Sequence, residues 1–75
     1  MTRIVLQNKL NPNVKAVYTL MDIANIRGGR AIDMFTEPEK IAENGLDSWD
    51  AVISIAFNNG ATAEFCIKNW EITFA

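Results

Sequence analysis

The sequence predicts an α+β domain: a small antiparallel sheet of three to four strands, ending in a C-terminal β-hairpin or meander, with one longer and one short helix packed on one face. Three observations predict this fold. Two apolar runs flank Asn58-Asn59-Gly60, which is the pattern of a hairpin. Residues 36–45 carry the start and stop signals of a short helix, and residues 11–28 carry those of a longer one.

The chain has 75 residues, of which 49% are apolar and 21% charged, the composition of an ordinary globular protein. This length predicts a single domain, residues 1–75, that buries about 60% of its unfolded surface around one thin core. The net charge of −2 does not favour direct binding to nucleic acid. No run approaches 18 consecutive apolar residues, so no membrane span is expected.

The sequence contains no histidine and a single cysteine, Cys66. The missing histidine excludes His-based general bases, Ser-His and Cys-His nucleophiles and an ordinary zinc site. A lone thiol forms no internal disulfide, which suits a cytoplasmic location, and we expect Cys66 to be structural. The sequence therefore predicts a protein that is not an enzyme and that holds no metal or cofactor.

The N-terminal part of the chain predicts a strand over residues 3–7 and then the longer helix. Asn11 is the expected N-cap, Pro12 the first helical residue and Gly28 the residue that ends the helix. The apolar residues at helical spacing are Val14, Val17, Tyr18, Met21 and Ala24. A strand over residues 17–26 is the competing interpretation, because β-branched residues are frequent there. The start and stop signals favour the helix.

The short helix is the best-specified local structure. Thr36-Glu37-Pro38-Glu39 has the pattern of a capping box, in which the Thr36 hydroxyl accepts an N–H of the first turn and Glu39 reaches back. Gly45 is expected in the left-handed conformation after the last turn, with Leu46 folding back onto Ile41. The preceding residues, 30–36, fit either a helical turn or a short strand.

The C-terminal third of the chain predicts strands. Residues 51–57 and 61–67 form the two arms of the hairpin. Phe65 and Ile67 share one phase of the second arm, whereas Trp70 begins a run in the other phase. Because side chains in a strand alternate with a period of two, Lys68-Asn69 is either a tight turn that starts a further strand or a bulge in one long strand. We favour the turn.

Residues 51–57 are apolar in both phases, around Ser54, whereas a sheet with one solvated face normally alternates. One interpretation is a central strand whose outer face carries small residues. The other is that a second polypeptide covers this face, which predicts a homodimer through the apolar sheet face or a stable complex with a partner.

Charge is concentrated in residues 33–50, which hold six acidic residues and one lysine, a net charge of −5. A solvated helix face is the simpler interpretation. The functional interpretation is an acidic surface that docks on a basic surface of a partner protein. Trp49, between two acids, is either a core residue or an exposed anchor, and Trp70 has the same two interpretations. The predicted partner-binding residues are Glu37, Glu39, Glu43, Asp47, Trp49 and Asp50.

Arg27-Gly28-Gly29-Arg30 matches neither the P-loop nor the dinucleotide-binding spacing, and we interpret it as the end of a helix. If the chain binds a small anion, Arg27 and Arg30 are the candidate ligands, since guanidinium groups bind phosphate well.

The leading functional hypothesis is a small non-catalytic binding or inhibitor protein that acts on a larger protein or complex. Such compact chains are common among inhibitors encoded by phages and other mobile elements, including those that counter host defence, which is an analogy only. One alternative is a homo-oligomer that holds a nucleotide-like anion between its subunits through Arg27 and Arg30. Another is a small structural component of a larger assembly.

Overall fold

The computed structural model describes residues 2–75, which form two three-stranded antiparallel sheets packed face to face and two short helices. The strand order is β2-β1-β6 in the first sheet and β3-β4-β5 in the second. The elements are β1 (Arg3–Asn8), β2 (Lys15–Thr19), β3 (Ile23–Arg30), α1 (Ala31–Met34), α2 (Pro38–Glu43), β4 (Ala51–Phe57), β5 (Thr62–Cys66) and β6 (Trp70–Phe74). A single 3-10 turn, Leu20–Asp22, joins β2 to β3.

The predicted α+β fold with one sheet and a longer helix is wrong, because residues 15–30 form β2, the 3-10 turn and β3. In the β1–β2 pair, Tyr18 lies opposite Ile4 and Ala16 lies opposite Leu6. This pairing places the two β2 residues beside Ile4 and Leu6 of β1, which are almost completely buried. Burial beside a strand from another part of the chain therefore outweighs the local helical spacing. Gly28 lies within β3 and does not end a helix.

The supposed helix start is instead a turn. The Asn8 side-chain carbonyl accepts the N–H groups of Leu10 and Asn11, and the Val14 N–H donates to the Asn11 carbonyl. Asparagine and proline are typical of such turns as well as of helix starts. The predicted first strand is confirmed as β1, one residue longer than expected.

The short helix is confirmed as α2, but its predicted cap is wrong. Glu37, not Thr36, is the N-cap residue, and no side chain caps the helix, with Pro38 in its first turn. The C-terminal prediction is confirmed: Gly45 has φ +69°, and Leu46 N–H donates to the Ile41 carbonyl at 3.0 Å. Residues 31–34, left open between helix and strand, form α1.

The hairpin β4–β5 is confirmed, with Gly60 at φ +90° in its turn. A tight turn at Lys68-Asn69 is also confirmed, since the Asn69 N–H donates to the Cys66 carbonyl at 3.0 Å. However, β6 does not extend the hairpin into a meander. It pairs with β1 in the other sheet, so the change of phase at this turn is a change of sheet.

The main core lies between the two sheets and is centred on Ile4, Leu6, Ile55 and Phe65. A second cluster lies on the outer face of β4, where Ala31 of α1 and Ile41 of α2 cover Val52. The apolar outer face of this strand is therefore covered, at Val52, by the helices of the same chain.

Candidate interaction surface

Trp49 lies in the loop between α2 and β4, and the residue is 67% exposed. The guanidinium carbon of Arg30 lies 4.6 Å from the centre of the indole ring. A guanidinium at this distance over an indole is a favourable cation–π arrangement. Trp49 and Arg30 therefore form a stacked aromatic–cation pair at the protein surface.

Backbone and side-chain bonds hold the Trp49 loop in place. One carboxylate oxygen of Asp50, Oδ2, accepts the N–H of Asp47 at 2.8 Å and the Lys68 ammonium at 2.9 Å. The Ala31 N–H donates to the Asp50 carbonyl, and the Ile32 N–H donates to the Ser48 carbonyl, both at 2.9 Å. Trp49 is thus flanked on both sides by residues that are bonded to neighbouring elements, which fixes the position of its backbone.

The Asp50–Lys68 pair is ionised at neutral pH. The hydrogen bond from the Asp47 N–H, followed by that from the Lys68 ammonium, lowers the pKa of Asp50. The hydrogen bond to Asp50 raises the pKa of Lys68. Asp50 is therefore occupied by internal bonds and acts mainly to position the loop.

Apolar side chains adjoin Arg30 on its side of the sheet. Arg30 is paired with Ala51, and the Ile67 N–H donates to the Ala51 carbonyl. Arg30 and Ala51 share a face, because residues opposite one another in adjacent strands do, and Ile67, in the turn that follows β5, is 41% exposed. We call Arg30, Asp47, Trp49 and Ile67 the Trp49 surface.

The structure divides the six predicted partner-binding residues into two groups. Asp47, Trp49 and Asp50 lie together in the loop. Glu37 is the N-cap of α2, and Glu39 and Glu43 are exposed on one side of that helix. Glu43 is paired with Lys40 at 3.3 Å. Asp47 is the exposed carboxylate nearest in sequence to Trp49.

Arg27 and Arg30, the candidate anion ligands, do not form one site. They are three residues apart in β3, so they project from opposite faces of the sheet. Arg27 lies opposite Ser54, whereas Arg30 stacks on Trp49. The pairing of Arg30 with Trp49 is the feature that the sequence analysis missed, because it depends on β3 being a strand.

Trp70 and Cys66, which the sequence also indicated as residues of interest, are less exposed than Trp49. Trp70 is half-buried and packs edge-on against Phe65, with ring centres 5.1 Å apart. Cys66 is a buried free thiol opposite Val52. Neither belongs to the Trp49 surface.

Among residues 2–75, no group of three or more acidic or cysteine side chains is placed to hold a metal ion. The helices within this range are all too short and too polar to cross a membrane. Comparison with protein-family models, curated proteins and solved structures finds no match.

Proposed function

We propose that this protein is a small non-catalytic binding protein that acts by covering a surface of a larger protein or complex, with the Trp49 surface at the contact. The observation that carries the proposal is the exposed indole of Trp49, held between Arg30 and a hydrogen-bonded loop. Tryptophan and arginine are the residue types most enriched among those that dominate binding energies.

The fixed position of the loop favours binding energetically. A tryptophan side chain can bury about 150–250 Å² on association. Ordering a mobile loop costs free energy at the moment of binding, and the bonds to Asp50 lower that cost in advance. An exposed, preorganised indole is thus better suited to recognition than to stabilising the isolated chain.

Acidic residues supply the selectivity of the proposed contact. Asp47 adjoins Trp49, and Glu39 and Glu43 extend the negative charge along α2. Such charges accelerate association with a basic surface and disfavour acidic partners, and salt screens them. We infer a partner with a basic surface, in the cytoplasm, where the free thiol of Cys66 would stay reduced.

The alternative functions have less support from the geometry. An anion held jointly by Arg27 and Arg30 of one chain is disfavoured, because the two side chains leave β3 on opposite faces. A homodimer through the outer face of β4 is also disfavoured, since α1 and α2 of the same chain already cover Val52.

Charge reversal tests the proposal. Proteins that co-purify with a tagged chain from its native cells are quantified for the wild type, for Glu39→Lys with Asp47→Lys, and for Glu64→Lys with Glu71→Lys. Both double variants change the net charge equally and alter only exposed residues. We expect the first to lose a specific protein that the second retains. Equal retention by both variants would exclude the acidic residues from the contact.

A further inference from the structure

A second recognition feature lies at the other end of β4, in a notch between β2 and the β4–β5 turn. Residues 17–19 form one wall, Phe57 and residues 58–59 form the other, and Asp22 completes a cavity of about 490 Å³. The walls meet where the Asn58 backbone N–H donates to the Asp22 carbonyl at 2.9 Å. The Asn58 side-chain amide also donates to the Met21 carbonyl at 2.8 Å. These two bonds join Asn58, after β4, to the 3-10 turn that follows β2.

The β2 wall of the notch is an unpaired strand edge. β2 is an edge strand, paired only with β1. The Leu20 N–H donates to the Thr2 carbonyl, and the Asn8 N–H donates to the Val14 carbonyl. These two bonds show that the even-numbered residues of β2 direct their backbone groups toward β1. Because hydrogen-bonded pairs alternate along antiparallel strands, the backbone groups of Val17 and Thr19 point away from β1. Within residues 2–75, no hydrogen bond outside the helices and strands engages either N–H group or the Val17 carbonyl, whereas the Thr19 carbonyl, at the N-cap of Leu20–Asp22, accepts the first bond of that turn.

The side chains that line the notch would accommodate a cationic group, because aromatic rings lie close to a carboxylate there. The rings of Tyr18 and Phe57 lie 4.8 Å apart at 60°, and both are half-buried. Asp22 is the one charged residue lining the cavity, it is exposed, and it takes part in neither ion pair found within residues 2–75. An ammonium or guanidinium group here would meet both an aromatic face and a carboxylate.

We propose that this notch binds an extended segment of another protein, which adds to β2 as a further strand and places a lysine or arginine side chain beside Tyr18, Phe57 and Asp22. Backbone bonds to the N–H and carbonyl of Val17 and to the N–H of Thr19 supply affinity, and the cationic side chain supplies specificity, as in other cases of strand addition. The site is independent of the Trp49 surface, from which the length of β4 separates it.

The charge of the notch favours a different protein over a second copy of this chain. If the β2 strands of two copies paired antiparallel about Val17, Ala16 and Tyr18 of the second copy would face the notch. Neither side chain is cationic, so Asp22 would gain no partner. Self-association through this edge is therefore an outcome that would contradict the proposal.

A displayed library of random nine-residue peptides, selected on the wild-type protein, tests this site. We expect the enriched peptides to share a lysine or arginine among apolar residues. Asp22→Asn should weaken their binding about tenfold, because the carboxylate is lost while the backbone carbonyl that Asn58 uses remains. Asp33→Asn, which removes another exposed acid, and Trp49→Ala should leave their affinity unchanged.

Two measurements on a selected peptide distinguish strand addition from a side-chain contact alone. Hydrogen exchange of the Val17 and Thr19 amides should slow on binding. N-methylation of the peptide at the positions facing β2 should abolish binding, whereas methylation at the alternating positions should not. The proposal is overturned if no peptide is enriched, if the enriched peptides lack a basic residue, or if they leave these two amides unprotected.

Discussion

At the scale of single residues, the two tryptophans show what decides between an anchor and a core side chain. Trp70 lies in β6 and packs on Phe65 within the main core. Trp49 precedes β4 and has Arg30 as its neighbour. Both follow a polar residue and precede an acidic one, so the sequence left the same two interpretations open for each. The difference arises because Trp70 lies in β6, beside the main core, whereas Trp49 lies in the loop before β4.

This difference predicts distinct fluorescence for the two indoles. In Trp70→Phe, which keeps Trp49, emission should be red-shifted and strongly quenched by acrylamide, because Trp49 is a 67% exposed residue. In Trp49→Phe, the half-buried Trp70 should emit at shorter wavelength and be quenched less. Equal quenching in the two variants would show that Trp49 is not the exposed residue.

The Asp50–Lys68 pair predicts a pH dependence. Because the pKa of Asp50 in the folded state is below its ordinary value of 3.8, its bonds stabilise the fold above that pH. Their contribution is lost as the pH falls through the lower folded-state pKa. For Lys68, with a pKa raised above 10.5, the contribution is present below that pH and is lost as the pH rises through the folded-state pKa.

Removing the Lys68 ammonium should raise the pKa of Asp50 only part of the way toward its ordinary value. In Lys68→Met the Asp47 N–H still donates to Asp50, and that bond is the larger cause of the shift. A carboxyl NMR titration should therefore give a pKa between the wild-type and ordinary values. Lys40→Met, whose lysine pairs with Glu43, serves as the control and should leave Asp50 unchanged. An unchanged pKa in Lys68→Met would contradict this account.

At the scale of elements, the turn predictions that the structure confirms rest on local signals. The end of α2 depends on Gly45 and Leu46, and the β4–β5 turn on Asn58-Asn59-Gly60, all close together in the chain. β2 depends on residues 3–8, to which it pairs. Helical and extended patterns overlap in residues 14–26, and only the distant partner strand decides between them.

Two glycine substitutions test the role of local conformation. Gly45→Ala should destabilise the fold by about 1–2 kcal/mol, because φ is +69° and an L-residue is strained there. Gly28→Ala should be neutral or stabilising by up to about 1 kcal/mol, because nothing lies within 4 Å of the added Cβ and its φ is not positive. Urea denaturation measures both. Equal destabilisation by the two substitutions would argue against the left-handed ending of α2.

Hydrogen exchange distinguishes β2 from the helix that the local spacing suggests. In the free protein the amides of Ala16 and Tyr18 should be protected by bonds to β1, and those of Val17 and Thr19 should exchange fast. A helix over the same residues would protect consecutive amides. Protection without alternation would therefore contradict the assignment of an edge strand.

At the scale of the whole molecule, the two sheets leave much of the chain at the surface. The accessible area is 5058 Å², against roughly 4,600 Å² expected for a globular chain of this mass. The fold is flat, with extents of 33 × 28 × 15 Å. One thin core and a small helical cluster stabilise it, and the Trp49 surface and the notch lie at opposite ends of β4.

The sequence indicated the acidic loop and Trp49 but not the arrangement around them. The loop residues are local, whereas Arg30 reaches Trp49 only because β3 pairs with β4 in the observed register. The notch could not be predicted at all from a helix over residues 12–28, because its wall is the edge of β2.

The affinity of a co-purifying partner for Trp49→Ala, measured against the wild type and Leu10→Ala, tests the binding function most directly. Leu10 is 87% exposed, so its substitution controls for the loss of any surface apolar group. We expect Trp49→Ala to bind at least about 30-fold more weakly while its free energy of unfolding falls by no more than about 1 kcal/mol, the worth of the exposed contact with Arg30, and Leu10→Ala to bind as the wild type does. Wild-type affinity in Trp49→Ala would contradict the assignment of the Trp49 surface as the binding site.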